Sequence, residues 1–125
     1  MSLILDAGAF IAFERGDRVI TALLKRELLA RRRPRTHGGV VGQVWRAGAR
    51  QARVAGLLQA VEVVALDLEL GQRAGLLLGR ARRADVVDSA LVLLANDGDW
   101  IVTSDPGDLS PLAEAAGLHV DLVPV

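Results

Sequence analysis

Short β-like runs alternate with helical patterns along this chain of 125 residues, and that alternation leaves few folds open. "LILD" at residues 3–6, "VEVVAL" at 61–66, "WIVT" at 100–103 and "LHVDLV" at 118–123 read as strands. Between them lie helical stretches. "AGAFIAFE" follows the first strand, and Asp17 is placed to cap a second helix with Val19, Leu23, Leu24, Leu28 and Leu29 as its apolar stripe. Pro34 ends that segment. Residues 36–50, "THGGVVGQVWRAGAR", read as a Gly-rich turn and then a helix carrying Val41, Val44 and Trp45. Further helices are expected over residues 51–58, 68–80, 86–95 and 111–116, with "NDGD" as a turn and "SDPGD" as a loop. Strands that alternate with helices pack as an α/β sandwich around a mostly parallel sheet. No linker, repeat or low-complexity segment divides the chain, so residues 1–125 are expected to form a single domain.

The chain is 51% hydrophobic but only 3% aromatic, so its core must be built from Leu, Val and Ala. Such a composition leaves apolar surface for a second copy or a partner, and a homodimer is expected. No apolar run approaches the roughly 18 residues of a membrane span. The first apolar stretch lacks a basic leader and contains Asp6, against a signal peptide. The absence of cysteine excludes disulfides and thiolate metal sites, and fits a cytoplasmic location. Formal net charge is zero, so no global field draws the protein to nucleic acid. Of fifteen basic residues only Lys25 is lysine, and the arginine clusters at Arg31, Arg32, Arg33 and Arg35 and at Arg80, Arg82 and Arg83 are candidate phosphate contacts.

Residues 82–95, "RRADVVDSALVLLA", begin an apolar helix with Asp85 and Asp88, one turn apart and with no basic partner inside the helix. Capping the helix N-terminus explains Asp85 alone. The sheet geometry supplies the rest. Ligands of open α/β sheets bind beyond the carboxyl ends of the strands. Asp6 ends the first strand, Asp105 and Asp108 follow "WIVTS", and the helix opened by Asp85 and Asp88 must start at that same edge to feed the next strand. Asp6, Asp88 and Asp105 therefore converge on one rim, with Asp85 and Asp108 close behind. Crowded carboxylates repel unless protonated, paired or bridged by a cation. An all-oxygen donor set, with His37 and His119 the only imidazoles, points to Mg2+ or Mn2+. Such ions act on phosphate esters, activating water and stabilising charge on phosphorus and the leaving oxygen.

Three rival chemistries fail on residues. "HGGVVGQ" lacks the Gly-Lys-Ser/Thr ending of a P-loop and the spacing of a dinucleotide fingerprint. Asp6 is followed by Ala7 and Gly8, not by the second aspartate that a haloacid-dehalogenase phosphatase needs. Lys25 lies too early in the chain to be the lysine of a receiver domain.

Taken together, "LILDAGAFIAFERGD", "ADVVDSALVLLANDGDWIVTSDPGDL" and the chain length resemble PIN-domain ribonucleases, and more narrowly the VapC-type toxins of bacterial toxin–antitoxin pairs. The resemblance covers essentially the whole chain. It implies a central parallel sheet of about five strands flanked by helices, and metal-dependent endoribonuclease activity on RNA. It also implies Mg2+ or Mn2+ held by Asp6, Asp88 and Asp105, with Asp108 as a further acid, and a cognate antitoxin that covers the acidic groove of a homodimer; Asp85, beside them, is expected to add charge or hydrogen bonds around the ion. One position departs. The family usually has glutamate in the helix after its second strand, where this chain has Gln43, which predicts weaker divalent-ion binding and slower cleavage. A PIN fold that binds without cleaving is the alternative reading.

Overall fold

The computed structural model describes all 125 residues. Five strands, β1 (Leu3–Leu5), β2 (Arg35–His37), β3 (Glu62–Val64), β4 (Trp100–Thr103) and β5 (Asp121–Pro124), form one sheet in the order β3-β2-β1-β4-β5. Every pairing is parallel. Seven helices make the crossovers: α1 (Ala7–Glu14), α2 (Arg18–Leu29), α3 (Gly38–Val44), α4 (Ala52–Ala60), α5 (Leu68–Ala81), α6 (Val86–Val92) and α7 (Pro106–Ala116). Contacts among α1 to α4 define one helical layer, and contacts among α5, α6 and α7 define the other. The expected α/β sandwich is therefore present, with a wholly parallel sheet.

Coverage on both faces explains why the central strands are uninterrupted apolar runs. Leu3, Ile4 and Leu5 of β1 and Ile101 and Val102 of β4 are fully buried. Each such side chain contributes about 1.5–3 kcal/mol on burial. Ile4→Asp would place an unpaired charge where β1 meets both β2 and β4, and would break the sheet at its centre. The chain runs outward from β1 through β2 to β3, then returns to the other side of β1 with β4 and β5. The reversal puts the topological switch point at the carboxyl ends of β1 and β4.

Several local expectations are corrected. The buried face of α2 is Ile20, Leu24 and Glu27, whereas Val19, Leu28 and Leu29 are exposed. Glu27 can occupy that face because Arg32 clamps its carboxylate through Nε at 2.9 Å and Nη2 at 3.1 Å. A buried charge persists when it is paired and hydrogen-bonded in this way. The segment before α3 is a strand, β2, too short and polar to announce itself. Its glycines are the first turn of α3, not a separate loop. His37 caps that helix by accepting the Gly39 N–H at Nδ1, 3.0 Å away. A Cβ on Gly39 would stand 2.7 Å from His37 Cε1, so the cap requires glycine there. Trp45 lies just past the helix end and is partly exposed. Helix α7 begins at Pro106, not Pro111, because proline is well suited to the first helical position, where no backbone donor is needed. No helix is long and apolar enough to cross a membrane.

Candidate active site

Asp6, Asp85, Asp88, Asp105, Asp108 and Gln43 line one cavity of about 200 Å3 at the switch point. Each reaches it by a local rule. Asp6 follows β1 and caps α1, its Oδ1 accepting the Ala9 N–H at 2.9 Å. Asp85 caps α6 by accepting the Asp88 N–H at 3.1 Å, and Asp88 stands in the first turn of that helix. Asp105 caps α7 without a side-chain hydrogen bond, so its carboxylate is not engaged by the helix it opens. Asp108 lies in the first turn of α7. Three helix N-termini thus face one crevice, and their positive ends favour the anionic groups gathered there.

The acids differ in burial. Asp6 is buried and Asp88 half-buried, while Asp85, Asp105 and Asp108 are exposed at the mouth. Burial raises the Asp6 carboxyl above the ordinary aspartate range, opposed by hydrogen bonds from the Thr103 hydroxyl and from the Ala9, Gly8 and Ser104 N–H groups. Burial also pushes Asp88 up, to about 6, helped by the negative charges of Asp85, Asp108, Asp6 and Asp105. Those four neighbours are the other carboxylates of the cavity, so the electrostatics and the lining describe the same cluster. No trio of His, Cys, Asp or Glu side chains is already drawn together at metal-ligand spacing.

Thr103 and His37 organise this rim, and the sequence reading gave neither that role. The Thr103 hydroxyl accepts the Asp105 N–H at 2.9 Å and donates towards Asp6, tying the end of β1 to the start of α7. His37 Nε2 donates to the Val87 carbonyl at 2.8 Å while Nδ1 accepts from Gly39, so the buried ring is neutral and joins β2 to the first turn of α6. Thr103 carried a signal, as a polar residue at the last position of the expected strand "WIVT", where a buried side chain must find partners among the loops beyond it; His37 carried none, because β2 was not legible. His119 is exposed and outside β5, away from the cavity.

Three of the four arginines in the cluster after α2 are engaged within the protein. Arg32 is spent on Glu27, Arg33 donates to the Val61 carbonyl, and Arg35 donates to the Leu94 carbonyl and pairs with Glu62. Arg35 opens β2 and so marks the amino edge of the sheet, opposite the acids.

Fold and site together define an α/β protein with a five-stranded parallel sheet and an acidic crevice at its switch point. No family model matches the chain, and no curated protein matches it.

Proposed function

We propose that the protein is a metal-dependent endoribonuclease and the toxin of a toxin–antitoxin pair. One observation carries the catalytic part of this reading: five aspartates from three separate segments share a small cavity at the switch point of a parallel sheet. A helix cap explains Asp6 and Asp85, but not why Asp88, Asp105 and Asp108 are crowded against them at the cost of a raised Asp88 pKa.

The donor chemistry fits a hard divalent ion. The chain has no cysteine, and both ring nitrogens of His37 are committed to the protein. The remaining ligands are carboxylate oxygens and the Gln43 amide, a set suited to Mg2+ or Mn2+. Asp6, Asp88 and Asp105 would hold the ion, drawing together carboxylates that otherwise repel. When bound, the ion supplies Lewis-acid activation of water and neutralisation of the phosphodiester charge. The chain's own groups do the remainder. Thr103 holds Asp6 and the Asp105 backbone in register, His37 fixes the first turn of α6 beneath Asp88, and the exposed Asp85 and Asp108 set the field at the mouth. Asp88 must lose its proton before it can act as a ligand, so activity is expected to fall below pH 6.

The partner part of the reading rests on the resemblance and on surface chemistry. Leu28 and Leu29 on α2 and Leu68 and Leu76 on α5 are 57–79% exposed, apolar side chains that a partner could cover. A second copy and a cognate antitoxin in the cytoplasm would cover them.

Purified protein free of antitoxin, incubated with single-stranded RNA and Mn2+, tests the function. Cleavage that is abolished by EDTA and by Asp6→Asn, Asp88→Asn or Asp105→Asn is expected. RNA binding without cleavage in any divalent ion would overturn the enzyme and favour a binding module, for which the uncharged Gln43 at the cavity wall speaks.

A further inference from the structure

Two other clefts border the acidic cavity, each sharing a different part of its wall. One, of about 650 Å3, shares Gly8 and Ser104 with it and is lined by Arg15 and Arg18. The other, of about 170 Å3, shares Asp85, Asp88 and Asp108 and is lined by Arg83. All three arginines are exposed. None of them enters an ion pair, since the pairs present involve only Arg26, Arg32 and Arg35. Asp17, the one acidic side chain on the first cleft, is occupied in capping α2 at Ile20, and Val125 also lines that cleft.

From this arrangement we infer that the three clefts form one path for a single RNA strand, with Arg15 and Arg18 gripping phosphates on one side of the acids and Arg83 on the other. The inference rests on the nuclease reading and specifies how substrate is held. A protein of zero net charge with five aspartates at its site repels a polyanion unless cations stand along the approach. Unpaired arginines on both flanks supply them, and guanidinium binds phosphate bidentately. Asp6 and Asp88, the innermost acids, are recessed in a cavity of about 200 Å3, which a flexible strand can enter by bending and a stiff duplex cannot. No aromatic residue lines any of the three clefts, so bases find no stacking platform and the grip falls on the backbone.

Fluorescence anisotropy of a labelled twelve-residue oligouridylate tests the path, with full-length protein and Ca2+ in place of Mg2+ to slow cleavage. Arg15→Ala/Arg18→Ala and Arg83→Ala should each weaken binding, the double variant roughly tenfold near 0.1 M salt, and the double variant should flatten the log–log salt slope by about 1.4. Arg73→Ala, on α5 and outside these clefts, serves as the control and should bind as wild type does. A self-complementary RNA duplex should bind much more weakly than the single strand. Equal affinity for duplex and strand, or arginine variants that bind like wild type, would overturn the path while Mn2+-dependent cleavage by wild type upheld the nuclease reading. Arginine-dependent strand binding by a protein that never cleaves would uphold the path and overturn the nuclease. Failure of wild type both to bind and to cleave would overturn both.

Discussion

Gly8 and Ser104 touch so closely that a Cβ on Gly8 would stand 2.6 Å from Ser104 Cβ and 2.8 Å from its backbone nitrogen. That contact clamps the first turn of α1, opened by Asp6, against the loop that delivers Asp105. Only glycine permits it. Gly8→Ala must push the two segments apart or strain one of them, an overpacking cost of about 1–3 kcal/mol. Urea denaturation of wild type and variant measures it, and RNA cleavage should fall further than the stability loss explains because the acids separate. An unchanged unfolding midpoint with unchanged activity would show that Ser104 yields freely and that the contact positions nothing.

Asp88 makes stability depend on pH in a direction unusual for an aspartate. Its folded pKa of about 6 lies above the ordinary 3.8, so the native state binds the proton more tightly than the unfolded chain. Its contribution is fully present below pH 3.8 and is lost as pH rises through 6. The difference corresponds to about 2 kcal/mol once solvent screening of this half-buried group is allowed for. Asp88→Asn should remove that loss and leave the metal-free protein more stable than wild type at pH 7. Chemical denaturation in EDTA at pH 5, 6 and 7 checks this, and a variant less stable than wild type at pH 7 would contradict it.

His37 works in the opposite sense. Burial holds its imidazole below the usual 6.5, so the unfolded chain takes up a proton that the native ring refuses. The associated stability is present above pH 6.5 and lost as pH falls through the lower folded pKa. His37→Ala should cost about 1–3 kcal/mol by leaving the Val87 carbonyl and Gly39 N–H without their partner, and should abolish this part of the pH profile. A loss of stability with an unaltered acid limb would assign the ring a packing role only.

Much of this was legible because the strands and acids obey different short-range rules that agree. The β4 run "WIVT" and the helix "AGAFIAFE" occupy their expected residues, and an aspartate just beyond a parallel strand lies at the ligand-binding edge by topology alone. Strand β2 was hidden because three residues, Arg35, Thr36 and His37, carry no apolar pattern; their place in the sheet comes from pairing with β1 and β3 on either side. The buried face of α2 was misread because Glu27 scores as surface until its pairing with Arg32 is known. The roles of Thr103 and His37 depend on partners roughly 50 to 100 residues away, which no local window contains.

Gln43 lines the cavity from α3 and brings oxygen without charge. Gln43→Glu should tighten Mn2+ binding by about 1–2 kcal/mol, the scale of one charge-assisted contact, and speed cleavage. In metal-free protein the same substitution adds a sixth carboxylate to the cavity and should lower the melting temperature. Equal Mn2+ affinities for wild type and variant would show that position 43 lies beyond reach of the ion.

The most direct measurement is calorimetric titration of Mn2+ into the metal-free protein at pH 6 and at pH 8, in buffers of different ionisation heat. Saturable binding is expected in wild type and should be lost or much weakened in Asp88→Asn. At pH 6 the Asp88 carboxyl is about half protonated, so binding should release about half a proton per ion, and close to none at pH 8. Binding that survives Asp88→Asn with unchanged affinity, or heats no larger than dilution at either pH, would contradict the claim that these aspartates form a divalent metal centre.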